Sequence, residues 1–153
     1  MKIWITSDHH FNHENIIKYC KRPFNSVEEM NEIMISKWNE RVKKEDLVIH
    51  LGDFGFGNID KLKEIRKRLN GLILLVMGNH DKNKILNQDF IVIKEPILID
   101  NLIFTHYPLE KNEIPKGFKN IHGHIHQKDS LWGRNISVDK TNFYPLELEE
   151  LKN

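Results

Sequence analysis

Leu72-Ile73-Leu74-Leu75-Val76-Met77, running straight into Gly78-Asn79-His80-Asp81, is the stretch that decides how this chain folds. An apolar run of strand length stops at a glycine and hands over directly to an amide, an imidazole and a carboxylate. Burial accounts for the apolar run but not for the three polar residues after the glycine. Short strands that deliver polar side chains at their C-terminal ends are how an α/β sheet presents a site. The same handover recurs at Ile3-Trp4-Ile5-Thr6 into Ser7-Asp8-His9-His10, at Leu47-Val48-Ile49-His50-Leu51 into Gly52-Asp53, and at Leu102-Ile103-Phe104-Thr105 into His106. Ile121-His122-Gly123-His124-Ile125-His126 completes the set.

Between these strands lie helical patterns. Glu14 to Cys20 carries Ile16, Ile17 and Cys20 at helical spacing and stops at Lys21-Arg22-Pro23. Ser26-Val27-Glu28-Glu29 fits a capping box and opens a helix to about Val42, with an apolar stripe of Val27, Met30, Met34 and Trp38 and Ile33 alongside. Ile59 to Leu69 forms the next helix, ended by Asn70-Gly71. The order β, α, α, β, α, β predicts parallel strands with helical crossovers. Phe90 to Lys94, Pro96 to Asp100, Leu102 to Thr105, Lys119 to His122, Asn135 to Val138 and Tyr144 to Leu148 read as strands, so the second half is expected to be mainly antiparallel β. Asp100-Asn101 is a tight-turn dipeptide between two of them.

A chain of 153 residues makes one domain the expectation, residues 1–153, with no room for a cap domain. With 23 basic and 22 acidic residues the net charge is +1, which gives no broad electrostatic footprint for nucleic acid or an anionic membrane. Nucleic acid enters only as a substrate held locally. A single cysteine, Cys20, excludes an intrachain disulfide and a Cys-based zinc cluster. No apolar run approaches the ~20 residues of a membrane span and no signal peptide is visible, so a cytoplasmic location is expected. Of the nine histidines, five sit in the strand-end motifs: His10, His80, His106, His124 and His126.

The strand ends offer Asp8, His10, Asp53, Asn79, His80, His106, His124 and His126. Carboxylate, amide oxygen and imidazole suit divalent first-row metals. There are too many ligands for one tetrahedral ion and about enough for two, and two ions ~3.5–4 Å apart form a clamp for phosphoryl chemistry. Asp8 and Asp53 offset part of the charge on such a pair, and the remainder attracts a phosphate ester.

In this order, Asp8-His9-His10, Gly52-Asp53, Gly78-Asn79-His80-Asp81, His106 and Gly123-His124-Ile125-His126 resemble the five motifs of the calcineurin-like metallophosphoesterases, over residues 6 to 126. The resemblance implies a four-layer αββα sandwich: two facing β-sheets flanked by helices, an α/β fold of mixed type. It implies a metal-dependent phosphoric ester hydrolase acting on a phosphodiester or phosphomonoester, with a metal-bridging hydroxide attacking phosphorus in line. Two divalent ions are expected (Mn, Fe, Ni or Zn, with Mn favoured). Asp8, His10 and His126 would hold the first, Asn79, His106 and His124 the second, and Asp53 would bridge them. His80 would lie over the phosphate as the catalytic group, with Asp81 orienting its ring, and Asn79 and His80 would also meet substrate. A small phosphoester or a nucleotide is the expected substrate. The alternative is a non-catalytic scaffold of the same fold acting in protein interactions, which the presence of His80 and of every ligand position argues against.

Residues beside the motifs are less decisive. His13 is read as reaching the substrate phosphate, against a plain helix N-terminal residue. His9 is expected to face solvent or the backbone, and His50 and His122 to bond locally. Phe11, Phe54 and Phe56 either stack on a nucleobase or pack beneath their loops. The loop from Tyr107 to Phe118 is the candidate rim of the site.

Overall fold

The computed structural model describes residues 1–81, 90–94 and 96–153. Strands β1 (Ile3–Thr6), β2 (Leu47–His50) and β3 (Leu72–Val76) lie parallel, with Ile3 opposite Leu47 and Leu47 opposite Leu72. Side chains alternate across the pleat. Trp4, Val48, Ile73 and Leu75 join the core under the helices, while Ile5, Ile49, Leu74 and Val76 join the core between the sheets.

Helices α1 (Glu14–Tyr19), α2 (Val27–Arg41) and α3 (Ile59–Arg68) pack on the outer side of this sheet. The Ser26 hydroxyl accepts from the Glu29 N–H at 3.1 Å and caps α2 as expected. The Glu29 carboxylate takes the N–H of Asn25 rather than that of Ser26, so the reciprocal bond of the box is displaced by one residue. Met30, Met34 and Trp38 are fully buried at a spacing of four. Each methionine there contributes about 1.5–3 kcal/mol by leaving water. The Trp38 indole N–H donates to the Asn70 carbonyl at 2.9 Å, so its polar edge is satisfied as the ring is buried. Ile35, outside the expected stripe, is buried beside them.

The second half departs from the expected pattern. β4 (Ile91–Ile93) joins the first sheet, parallel to β3. The second sheet has the order β5 (Ile97–Ile99), β6 (Leu102–Thr105), β7 (Lys119–His122), β8 (Gly133–Asn135). Only the β5–β6 pair is antiparallel, closed by the turn at Asp100-Asn101; β6–β7 and β7–β8 are parallel. The mainly antiparallel half is therefore corrected to a mixed sheet. Residues 106–118 form a crossover long enough to return the chain to the same end, which a parallel pair requires. The strand expected from Asn135 to Val138 is instead β8, continued by one bridge between Ser7 and Ser137. The last expected strand shortens to β9 (Leu146–Glu147), antiparallel to β1, and leads into helix α4 (Leu148–Lys152), opened by a capping box between Glu147 and Glu150.

Two mixed sheets thus face each other and are flanked by helices, the layered α/β arrangement expected. The core between them is built from Ile5, Ile49, Leu51 and Val76 on one side and Leu102, Phe104, Ile121 and Ile136 on the other, closed by Leu148 and Leu151 of α4. Because β1, β2 and β3 run one way and β6 and β7 are likewise parallel, the strand-end motifs come together at one edge of the sandwich. Among the described residues no helix is long and apolar enough to cross a membrane.

Candidate metal centre

The strand ends meet through main-chain bonds before any side chain is considered. The N–H groups of Asp8 and His10 donate to the carbonyls of Gly52 and Asp53, each at 3.0 Å, which ties the loop after β1 to the loop after β2. Gly123 N–H donates to the His106 carbonyl, also at 3.0 Å, and ties β7 to β6. Glycine is required where the loops press on the carboxylates. A Cβ on Gly78 would collide with Asp53 Oδ1, and one on Gly123 with Ser7 Oγ and Asp8 Oδ2.

Asp8, His10 and His126 form one group whose ligand atoms lie within 4.8 Å of one another, and Asp53, His106 and His124 form another. In each group a carboxylate is half held and half open. Asp8 Oδ2 accepts from the His124 N–H at 2.9 Å and the Ser137 hydroxyl at 2.8 Å, while Asp8 Oδ1 is buried without a partner. Asp53 Oδ1 accepts from the His80 N–H at 2.8 Å, leaving Oδ2 at 3.5 Å from both His10 Nε2 and His106 Nε2. His10 Nε2 is likewise buried and unpartnered. An orphaned buried polar atom costs about 1–3 kcal/mol.

The second group repeats this convergence of acceptors. His106 Nδ1 lies 2.7 Å from the Leu51 carbonyl, an acceptor only, so Nδ1 carries the proton and Nε2 presents a lone pair. That nitrogen lies 2.9 Å from Asn79 Oδ1, which is also 3.1 Å from His124 Nδ1. With the Asn79 oxygen turned toward both rings, a cation among these atoms would engage lone pairs that otherwise face one another. The donor set of carboxylate and amide oxygens and imidazole nitrogens therefore fits divalent cations. The backbone carries a matching signature: Asp8, His10, Asp53, His124 and His126 have φ of 60°, 51°, 56°, 70° and 51°. Each such non-glycine residue stores about 1–3 kcal/mol of strain that the surrounding structure must hold.

Electrostatics follow from burial. Burial pushes the Asp53 carboxyl up, helped by the nearby Asp8 charge and opposed by His106 and the His80 N–H. His10 is driven far below the ordinary imidazole value, first by burial and then by the Arg22 charge, so it stays a neutral donor of its lone pair. Burial is the largest single influence on His126 and works against its charge, but the bond to Asp139, the contact with Cys20 and the Asp8 charge together outweigh it and push the imidazole up to about 10.

A family model described as calcineurin-like phosphoesterase matches residues 1–152. The chain belongs to the calcineurin-like phosphoesterase family. It is 38% identical to the uncharacterized protein MJ1445 of Methanocaldococcus jannaschii, over 97% of this chain and 88% of that one. A crystal structure of a protein of unknown function, AQ665 from Aquifex aeolicus, superposes with a TM-score of 0.80 at 27% identity, covering 99% of this chain and 97% of that one. A solved archaeal phosphodiesterase is more distant, with a TM-score of 0.47 and 21% identity, covering 97% of this chain and 99% of that one.

Within this calcineurin-like phosphoesterase all seven expected ligand residues come together. His80 is exposed beside them, its ring edge-on to His10 at 5.4 Å. His13 lies at the same mouth, 5.7 Å from the His10 ring, with Nδ1 buried and unpartnered. Asp81 corrects the expected orienting role. Its Oδ2 accepts from the N–H groups of Asp53 at 2.7 Å and Gly78 at 2.8 Å, and its Oδ1 from Phe54 N–H at 3.0 Å. A carboxylate so placed clamps two site loops together, and its hydrogen bonds go to backbone N–H groups rather than to the His80 ring. Of the candidate rim, Tyr107 stands against His124, with ring centroids 4.5 Å apart.

Three features escaped the sequence. His9 is fully buried rather than solvent-facing, with Nδ1 2.9 Å from His50 Nε2. Gly52 N–H donates to His50 Nδ1 at 3.2 Å, so His50 carries its proton on Nε2 and passes it toward His9. Asp139 Oδ2 lies 2.9 Å from His126 Nδ1, which fixes that ring and leaves Nε2 for the ligand cluster. Arg22, its side chain fully buried, grips Asp139 with both Nε and Nη2 and donates to the carbonyls of Asp8 and His9 at 2.7 Å. Asp139 carried a signal: Ile136-Ser137-Val138 is another apolar run ending in a carboxylate. Arg22 carried none, sitting between Lys21 and Pro23 as an apparent helix stop.

Proposed function

We propose that this calcineurin-like phosphoesterase is an active, dinuclear hydrolase of phosphodiesters or phosphomonoesters. The observation that carries the reading is the place of Asp53: one carboxylate oxygen is pinned by the His80 N–H, and the other lies 3.5 Å from an imidazole of each ligand group. Asp8, His10 and His126 hold one divalent cation, Asn79, His106 and His124 the other, and Asp53 is shared. Manganese is favoured for a set of oxygen and imidazole donors without thiolate. When bound, the pair supplies Lewis-acid activation of water and neutralises phosphoryl charge.

The chain's own groups do the remainder. His80, anchored through its N–H to Asp53 and free at its ring, meets a phosphoryl or leaving oxygen with an imidazole N–H and hands on that proton as the ester bond breaks. Asp81 keeps His80 and Asp53 in register by holding Gly78 and the Asp53–Phe54 backbone. His13 contacts the far side of the phosphoryl group. His80 is exposed, so substrate meets it from solvent.

Elemental analysis together with turnover of aryl phosphodiesters and phosphomonoesters tests this directly. Asp53→Asn loses metal at both positions. His80→Ala keeps its metal yet loses on the order of 10²–10⁴ in kcat. Equal metal loss in the two variants, or an inert metal-loaded wild type across both ester classes, removes the assignment and favours the scaffold reading.

A further inference from the structure

A cleft of about 520 Å³ opens beside the ligand groups. Its inner end is His10, His80, His124 and His126, the groups that the proposed reaction uses. Its outer part is different in chemistry. Ile16, Cys20 and Ile125 make a mostly apolar lining with the rings of His13, Tyr19 and Phe56, while Lys128 brings a cation and Gln127 an amide whose N–H is taken by the Cys20 carbonyl. The His13 ring contacts both neighbours, at 4.6 Å to Phe56 and 6.3 Å to Tyr19.

Two of those rings stand in solvent, Tyr19 at 71% exposure and Phe56 at 39%. Their neighbours in sequence behave otherwise. Phe11 and Phe54 are fully buried and touch each other at 5.1 Å beneath their loops. Phe56 belongs to the same glycine-punctuated loop as Phe54 but turns outward into the cleft, 6.3 Å from the His80 ring. Exposed apolar side chains scattered singly need no explanation. Two exposed rings lining one cleft, a single imidazole away from the reacting centre, do need one.

We propose that Tyr19 and Phe56, with His13 between them and the phosphoryl group, form a stacking wall for a planar aromatic ring on the substrate, so that the substrate is a nucleotide-type phosphoester carrying its base in the outer cleft. This deepens the phosphoesterase reading and rests on it. A π-face stacks on such rings without needing matched hydrogen bonds, which suits an apolar lining that would leave the hydroxyls of a sugar or polyol unsatisfied. The volume is in the range of small-molecule sites. Among the described residues one lysine lies in the lining, and with a net chain charge of +1 this suits one nucleotide unit rather than a track along a polymer.

Calorimetric titration of the full chain with AMP and with ribose 5-phosphate, with Mn²⁺ present, tests the wall. The two ligands share phosphate and ribose and differ by the base. AMP is expected to bind on the order of tenfold or more tightly, as base–aromatic stacking implies. Tyr19→Ala and Phe56→Ala each shrink that ratio, the double variant brings it close to one, and Tyr19→Phe retains it. Both side chains are exposed, so truncation leaves the core intact. A ratio near one in the wild type, no binding of either ligand, or a ratio that survives the double variant overturns the proposal. Turnover of bis(p-nitrophenyl) phosphate on the same samples separates the two claims. A preserved AMP preference without turnover supports the wall and defeats the hydrolase; turnover without the preference does the reverse.

Discussion

The first ligand group leans mainly on a chain of buried side chains, the second mainly on main chain and the Asp81 carboxylate. His126 is set by Asp139, Asp139 by Arg22, and Asp8 by Ser137. His106 is set by the Leu51 carbonyl, Asp53 by the His80 N–H, and the Asp53 and Phe54 backbone by Asp81. The reason lies in where the loops go. Asp53, Asn79 and His106 come directly after strands packed deep in the two sheets, and the neighbouring backbone is already beside them. Asp8 and His126 stand where the loop after β1 meets the loop after β7, and the gap between that meeting point and the helices is filled by long side chains. A brace made of main chain survives any substitution short of refolding. A brace made of a buried ion pair fails when one partner is removed. The two groups should therefore answer differently to mutation.

The largest difference comes from Arg22→Met. It keeps the volume of the side chain but leaves Asp139 buried without its counter-charge and two site carbonyls without a donor. Breaking a buried pair from one side costs about 3–5 kcal/mol, read as a shift in the urea midpoint at unchanged m-value. The exposed Arg68–Glu32 pair is the control: it is shorter, at 2.6 Å against 2.9 Å, yet Arg68→Met should cost under about 1 kcal/mol because water screens it. Similar losses from the two variants would mean that the Arg22 brace contributes no more than a surface contact.

Asp139→Asn probes the same brace more gently. The shape stays, the charge goes, and His126 loses the partner that fixes its ring. Removing such an outer partner lowers metal affinity about 10–100-fold. The loss should fall on one equivalent of metal, with the second still bound, when Mn²⁺ occupancy is titrated against a chelator. Loss of both equivalents together would show that the brace supports the whole centre and that the contrast between the groups is not real.

That contrast also explains what could be read in advance. The convergence of the seven candidate ligands was legible because a divalent centre would need particular side chains at strand ends, and apolar runs that stop near Asp8, Asp53, Asn79, His106 and His124 stand out against any packing pattern. The layered fold came from the family resemblance that the motifs at these strand ends carry. Strand direction in the second half was not legible: Lys119 to His122 has the same length and composition whether it runs with β6 or against it, and only the path of residues 106–118 decides. Arg22 and Asp139 were invisible as a pair because 117 positions separate them and neither repeats a local pattern. His9 was misjudged because a polar residue between two ligands reads as solvent-facing. Its burial depends on Trp38 and His50, which come from other elements. Glu147 and Glu150 did carry a legible capping box, overlooked because Leu146 and Leu148 looked like strand residues.

The smallest effect concerns His50, which props the second loop by accepting the Gly52 N–H. Burial pushes its imidazole down to about 3, with the nearby His106 acting in the same direction. In the unfolded chain the same group titrates near 6.5. Above that value it is neutral in both states and has no effect on the balance. As the pH falls below it, the unfolded chain takes up a proton that the folded chain refuses. Stability is therefore lost with falling pH, by at most about 1.4 kcal/mol per pH unit, until the folded value is reached. His50→Gln keeps an amide acceptor and donor in the same pocket but cannot titrate. Its starting stability will differ, so the informative quantity is the change between pH 7.5 and 6.0 in chelator. The wild type should lose about 0.8 kcal/mol more than the variant over that interval. The candidate metal ligands are the same in both proteins and cancel in the comparison. If the two proteins lose the same amount, His50 is accessible to protons in the folded state, and the sealed pocket behind Gly52 and Asp53 is not what holds that loop in place.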